Sequence, residues 1–571
     1  MRDPLASGFI SFLLLITGIA YWWVVTPSPF AFLSFLICLS SFPVAVFRLP
    51  KLRTIYPIIR PASYAAMAGM IVASSILSKP LLLIFLLPLL FSWFAGKRGD
   101  LAASFSTIAA QSVGLTYGNK FTDEVMILYY SALTSIHGGD PYVRLTGFRP
   151  WDIYLPYTTP TIYGTLVSSL QYPPISFLPY LPLALLHASP VWGLMLYGLI
   201  ALAAAYKVAE HYDPRVLPGF LAIMAVFPVG PDYAWIGTLA LSYYLLSRSK
   251  FASAGLLYGL SLGFKQFPLY VLPVIAYRVY RSGGRRSLDL FLSSSFGLFG
   301  LISLPFLLRA PISYVLGLAA PEVTPLLGVG FGLSQISYTG LYYLPPLFFT
   351  ISEAIALLSM WVIYFLYYPK VPDATVPLVP LLLNYRVLFY PVYWMQLYFL
   401  SPSTWSYVQE IRTVELKGTV KAGVVLALML PTLFAPVMHS DIQGQPLRIQ
   451  VMGLQVQKGE ITDVGVLITY LGGQKMPYEI RPQFRALYPM MDNVNGVILN
   501  PTTNVTLAAG SFTFTELKPA PEFNLPARYP IEIIAYYGQV QASVWILNST
   551  YYTSNYKIGG HMSLSSLDLG E

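Results

Sequence analysis

The sequence predicts a polytopic α-helical membrane protein that carries a β-rich domain at its C-terminus, and three observations predict it. Only 10% of the 571 residues are charged and 56% are hydrophobic, where a soluble domain usually carries roughly 25% charge. Apolar runs of about 14 to 25 residues recur through the first three quarters of the chain, close to the ~20 needed to cross a hydrocarbon core of about 30 Å. After Met438 the pattern changes to short stretches of alternating apolar and polar residues, as in "LRIQVMGLQVQ" and "VGVLITYL", separated by Gly, Pro and Asn. That is the signature of strands.

The basic residues set the topology. The net charge of +9 is spread over short clusters between apolar runs: "RLPKLR" at 48–53, "GKRG" at 96–99, "SRSK" at 247–250, "YRSGGRR" at 280–286 and "IRTVELKGTVK" at 411–421. Such clusters mark cytoplasmic loops and speak against a nucleic-acid partner. With Arg2 inside, spans near 7–26, 29–47, 62–78, 80–96 and 101–117 keep the first two clusters inside and begin an outer loop at Asp123 and Glu124. The opening stretch is read as a retained span, because a basic turn and further spans follow it. Segment 172–186, "YPPISFLPYLPLALL", has the hydropathy of a span, but counting it as one would put Lys207 and Arg215 outside. It is expected to lie on or dip into the outer face, so that 120–189 forms one structured outer loop.

Further spans are expected near 190–206, 214–229, 233–248, 252–264, 268–280, 287–307, 340–366, 374–385, 387–401 and 421–437. Two of them, 252–264 and 268–280, reach only ~20 Å at 1.5 Å per residue, which should sink their junction, Lys265-Gln266, below the outer surface. The result is thirteen to fifteen crossings with a cytoplasmic N-terminus. Residues 1–100 form an N-terminal transmembrane extension and 101–437 the main transmembrane region. Residues 438–571 are expected to form an extracytoplasmic β-sandwich. Sequons at Asn504 and Asn548 suit that side, and the plasma membrane is the expected compartment.

Charges set at membrane depth are costly, about 2.5–3.5 kcal/mol each on insertion scales, and are functional candidates by default. Asp123 and Glu124, Asp140 with Tyr142 and Arg144, Asp232 in "GPDYAW", Lys265 with Gln266, and Tyr385-Arg386 all fall on the outer side of this topology. A carboxylate there can take the proton of an acceptor hydroxyl, and Lys or Arg can hold a phosphate leaving group. Plainer roles stand beside these: Asp123 as a helix cap, Asp140-Pro141 as a turn, Lys265 as a snorkelling side chain and Arg386 as an anchor at a helix end. The lone Cys38 lies in an apolar run. His137, His187, His211, His439 and His561 lack ligand spacing, so no cofactor is required by this reading and a divalent metal is not favoured.

Three stretches carry a family resemblance. "FTDEV…GGDPYVR" resembles the Thr-Asp … Gly-x-Ser-Pro-Tyr-x-Arg run of the GPI mannosyltransferase catalytic subunit. "FKQFPLYVLP" and "YPPISF" resemble the Lys-Gln motif and the Tyr-Pro-Pro segment of dolichyl-phosphate-glucose-dependent glucosyltransferases. Both belong to the GT-C superfamily of integral-membrane glycosyltransferases, so the resemblance implies a GT-C-like fold over 101–437. The first four spans and the β-domain fall outside the likeness. It implies an inverting hexosyltransferase, mannose favoured over glucose, that uses a polyprenyl- or dolichyl-phosphate sugar. The acceptor would be a hydroxyl of a glycan, glycolipid or glycoprotein. Asp123 would be the general base, with Glu124 beside it. Lys265, Gln266, Arg386, Tyr385 and Arg144 would hold the donor phosphate, and Asp140, Tyr142, Tyr172 and Asp232 the substrate. Val125 stands where the mannosyltransferase has a second Asp, which removes the basis for a DxD metal site. The alternative from another class is a transporter or flippase of a lipid-linked or anionic substrate.

Overall fold

The computed structural model describes residues 4–47, 56–118, 121–212, 216–226, 230–368, 370–405, 418–440, 446–473, 476–491 and 493–547. The cluster at 48–53, Arg215, residues 411–417, the sequon at Asn548 and His561 lie outside the described residues. The N-terminal part comprises helices α1 (Pro4–Val25), α2 (Phe32–Phe47), α3 (Tyr56–Leu77), α4 (Leu86–Ser92) and α5 (Gly96–Gly118), with α4 flanked by 3-10 turns. Then come α6 (Asp123–Ile136) and a long irregular connection with only 3-10 turns and the short α7 (Leu181–Leu185). Segment 172–186 is therefore no long helix. Its prolines at 173, 174, 179 and 182 break the hydrogen-bond ladder that a span needs.

Helices α8 (Val191–His211), α9 (Val216–Val226), α10 (Asp232–Ser247), α11 (Phe251–Phe264) and α12 (Leu272–Arg309) form the middle of the bundle. The basic stretch at 280–286 carries the break expected between two helices. Inside α12 the backbone leaves the helix at Gly284, whose φ of +71° and ψ of −172° glycine adopts without strain, and helix resumes beyond it. Helix α11 lies hard against α12 because Gly255 and Gly259 face the Phe291 and Ser295 carbonyls, where a Cβ would overlap. This is the small-residue spacing that lets two helix backbones approach. The remaining helices are α13 (Pro311–Val323), α14 (Gln335–Tyr338), α15 (Pro346–Tyr367), α16 (Leu378–Leu383), α17 (Tyr390–Leu400), α18 (Pro402–Trp405) and α19 (Gly418–Ser440).

Among the described residues five helical segments are long and apolar enough to cross a membrane, where thirteen to fifteen crossings were expected: Pro4–Val25, Pro29–Phe47, Val191–His211, Phe267–Arg309 and Pro346–Tyr367. Other apolar helices, Phe251–Phe264 and Asp373–Leu383 among them, are shorter. Large apolar side chains such as Leu81, Phe94, Leu301, Leu308 and Ile312 point outward.

The C-terminal unit is β-rich, but it is not a sandwich. Strands β3 (Leu447–Gln457), β4 (Glu460–Tyr470), β6 (Gln483–Leu487), β7 (Val497–Pro501), β9 (Ser511–Pro519), β10 (Ile531–Tyr537) and β11 (Val540–Ile546) make one antiparallel sheet. Its order is β11-β10-β6-β7-β9-β4-β3, and the two outermost strands come into contact, so the sheet is nearly a barrel. Register shifts at Val451/Gly453 and Gln455/Val456 bend β3, as bulges do. A small second pair, β5 (Glu479–Ile480) with β8 (Leu507–Ala508), forms its own two-stranded sheet against β4 and β9. A further parallel pair lies in the helical part: β1 (Val329–Gly330) and β2 (Arg386–Val387).

This unit is seated on one end of the helical bundle. The Trp23 indole, at the end of α1, donates to the Met491 carbonyl (3.0 Å), and the Met490 amide donates to the Trp23 carbonyl (2.8 Å). The start of α1 is at the other end, where Tyr398 reaches the carbonyls of Pro4 and Ala45.

Candidate functional site

Three helix ends converge beneath the β-domain, and each carries a charge of the sign its dipole favours. Asp123 and Glu124 open α6, Asp232 opens α10, and Lys265 closes α11 in an extended conformation three residues before Pro268. Gly263 lets α11 reach this point, since a Cβ there would overlap the Ile175 side chain. The Lys265 ammonium is 4% exposed. It lies 2.9 Å from Glu124 Oε1 and 2.9 Å from Asp232 Oδ1. Trp235 Nε1 donates to the same Asp232 oxygen at 2.8 Å. The rings of Tyr172, Phe267 and Tyr390 stand 5.1, 5.4 and 5.4 Å from the ammonium and complete its cage.

Asp123 is buried beside this cage. One oxygen, Oδ1, accepts the amide of Glu124 at 2.8 Å within the first turn of α6, whose N-cap position is Thr122 and not Asp123. The other, Oδ2, is buried without a well-formed hydrogen bond. Burial raises the Asp123 pKa, and the neighbouring Thr159 and the positive charge of Arg386 counter that rise. Glu124 is pushed up to about 7 by burial, with Lys265 opposing and Asp232 and Asp123 adding to the shift.

Arg386 arrives from the other side. The pairing of β2 with β1 fixes it (Val329 opposite Arg386, Gly330 opposite Val387). Only glycine fits at 330: its φ is +97°, and a Cβ would overlap the Val387 carbonyl. Arg386 Nη1 donates to Leu327 O (3.1 Å) and to Oδ1 of Asn495 (3.0 Å), which belongs to the β-domain. Asn495 Nδ2 in turn donates to Thr158 O at 2.8 Å, next to the threonine that flanks Asp123.

The other residues singled out in the sequence have different places. Gln266 donates to the carbonyls of Gln171 (2.8 Å) and Leu318 (2.9 Å), tying two connecting segments together. Asp140 Oδ1 accepts the Tyr142 amide (2.9 Å) in a turn, and the Tyr142 hydroxyl donates to the carbonyl of Tyr172 (2.7 Å). Arg144 is exposed and is not brought to the cage. Tyr385 packs its ring on Phe349, 5.3 Å away. The structure thus gathers Asp123, Glu124, Asp232, Lys265, Tyr172 and Arg386, and leaves Asp140, Arg144 and Tyr385 in supporting positions.

Tyr390, Thr159, Asn384, Glu353 and Asn495 were not legible as site residues. Glu353 on α15 accepts hydrogen bonds from Tyr270 and Asn384, and Asn384 Oδ1 accepts the Arg386 amide at 2.8 Å. Glu353 is 4% exposed. The one signal was a carboxylate in the middle of an apolar run, which the span assignment absorbed. Among the described residues no three His, Cys, Asp or Glu side chains are arranged to hold a metal. No family model matches the chain, and no curated protein or solved structure matches it either.

Proposed function

We propose that the chain is a membrane-embedded glycosyltransferase that moves a hexose from a polyprenyl-phosphate donor to an acceptor hydroxyl. On this reading the five long apolar helices and their shorter neighbours lie in lipid, and the β-domain sits on the extracytoplasmic face. The observation that carries the reading is the buried Asp123 carboxylate, with one oxygen unpaired and Arg386 near it, beside the Glu124–Lys265–Asp232 cluster. A buried carboxylate without an ion pair costs stability, and a reaction that uses Asp123 explains its retention.

The chemistry follows from what each group can do. Asp123 accepts the proton of the acceptor hydroxyl, and the oxygen attacks the anomeric carbon. The bond from that carbon to the phosphate oxygen breaks, its electron pair leaves with the polyprenyl phosphate, and the sugar's configuration inverts. A raised pKa makes Asp123 a stronger base than a solvated carboxylate. Lys265 holds Glu124 and Asp232 in register, and Arg386 meets the phosphate charge as it grows.

The test is transfer of radiolabelled sugar from synthetic polyprenyl-phosphate-mannose and polyprenyl-phosphate-glucose to a lipid and glycoprotein extract. Wild type should transfer, and Asp123→Asn, folded and binding donor, should fall by at least about 10²-fold. Undiminished transfer by that variant would remove Asp123 as the base. Transport of an intact lipid-linked sugar across vesicles, without transfer, would establish the carrier reading instead.

A further inference from the structure

Lys265 is poorly placed to take a phosphate, because two carboxylates at 2.9 Å already share its charge. A second pair of cations is not neutralised in this way. Arg485, on β6 of the β-domain, is 2% exposed. Its Nη1 donates to the carbonyls of Gly328 (3.1 Å) and Asn495 (3.4 Å), and its Nε is buried without a partner. Arg386 donates to the side chain of the same Asn495. Asn495 therefore has one guanidinium on its side chain and another on its backbone. Among the described residues neither arginine has a carboxylate within ion-pair distance.

We infer that Arg386 and Arg485 form an anion site across the junction of the helical bundle and the β-domain, and that it takes the phosphate of a lipid phosphate. Arg485 is buried and Arg386 half-buried. Asp123 is the carboxylate near Arg386 but makes no ion pair with it. Two guanidiniums sharing one asparagine repel each other unless an anion joins them. Arginine's planar fork is the group that binds phosphate bidentately. Burial lowers the pKa of both arginines; at Arg386 Tyr390 and Asp123 oppose the lowering and the charge of Arg485 adds to it. The rings of Tyr338 and Tyr536, 5.6 and 5.9 Å from the Arg485 guanidinium carbon, compensate only in part. The nearby carboxyl of Glu532 is pushed by burial up to about 8 and is mostly neutral at pH 7.

The β-domain then supplies part of the site instead of shielding it. The choice of a lipid phosphate rests on the transfer reading, whereas phosphate binding is measured without any transfer.

The experiment uses the full chain in detergent and titrates farnesyl phosphate, farnesol and inorganic phosphate by calorimetry. Farnesyl phosphate should bind and farnesol should not. Arg485→Gln and Arg386→Gln should each weaken binding at least 10-fold, and Arg485→Lys should restore part of the loss. Unchanged affinity in folded Arg485→Gln would overturn the site. Tighter binding of inorganic phosphate than of farnesyl phosphate would overturn the lipid assignment. If Arg485→Gln does not fold, amide exchange of wild type decides. Farnesyl phosphate should slow exchange at residues 483–487 and 493–497, and no slowing there would overturn the proposal. Binding through both arginines with no sugar transfer would retain the anion site and remove the transferase reading.

Discussion

Glu124 and Asp123 are adjacent in sequence but titrate in different surroundings, and the pH profile should separate them. Glu124 is pushed up to about 7, and Asp123 is raised as well, burial being the largest cause for both. A base works only when ionised, so transfer should fall as pH drops, with an acid limb above the usual carboxylate range of about 4. Glu124→Gln should move or remove the part of that limb near pH 7 and leave the Asp123 limb. A profile identical to wild type would show that Glu124 does not titrate in the working cycle. The cluster also makes a stability prediction. Lys265→Met leaves Glu124 and Asp232 buried without their cation and should cost about 3–5 kcal/mol. Adding Asp232→Asn restores the original charge balance and should recover a good part of the loss, read by thermal melting. These charged residues were legible in the sequence because charge is so scarce in it: an Asp or Lys bordering an apolar run has few bland explanations. Asn495, Thr159 and Arg485 were not, because their roles come from pairings between segments far apart in the chain that no local pattern encodes.

At the scale of elements, the bundle depends on close backbone approach. Gly259 faces the Ser295 carbonyl on α12 with no room for a Cβ, whereas Gly297, on α12 itself, has nothing within 4 Å of the same position. Gly259→Ala should force α11 away from α12 and cost about 1–3 kcal/mol. Gly297→Ala should be neutral or stabilise by up to about 1 kcal/mol through helix propensity. Equal effects at the two sites would mean that the α11–α12 contact is not what glycine protects. Because α11 ends at Lys265, the first variant should also weaken donor binding. Hydropathy and loop charge located most helices to within a few residues, and 172–186, set apart from the spans by loop charge, forms no long helix. They placed the break between 268–280 and 287–307, since the backbone leaves the helix at Gly284 inside the basic stretch, though the break is tighter than a loop over 280–286. They also could not tell a sandwich from a nearly closed sheet. Strand alternation records which face is buried, but bulges and twist decide how the sheet curls.

The whole molecule is held together at the junction between bundle and β-domain, and a buried acid makes that junction pH-sensitive. Glu532 on β10 is 0% exposed, and neither carboxyl oxygen has a well-formed hydrogen bond. Ser543 on β11 stands beside it and Arg485 is near, both opposing the rise in its pKa. Ser543 also faces the bundle, with its hydroxyl 2.8 Å from where a Cβ on Gly340 would lie, and Gln541 donates to the Ser337 carbonyl at 2.9 Å. The folded pKa is about 8 against an ordinary glutamate value of 4.5, so the folded chain holds a proton that the unfolded chain releases. That contribution is fully present below about pH 4.5 and is lost as pH rises through about 8, at a slope approaching ~1.4 kcal/mol per pH unit between them. Melting of the full chain should therefore decline from pH 5 to pH 8 and level off above it. Glu532→Gln keeps the shape of the protonated acid and should flatten that decline while melting at least as high as wild type at pH 8. A variant whose melting falls with pH as steeply as wild type would locate the titrating group elsewhere. If the arginine pair is also right, lipid phosphate binding should tighten in Glu532→Gln at pH 9, where wild type has an ionised Glu532 competing for Arg485.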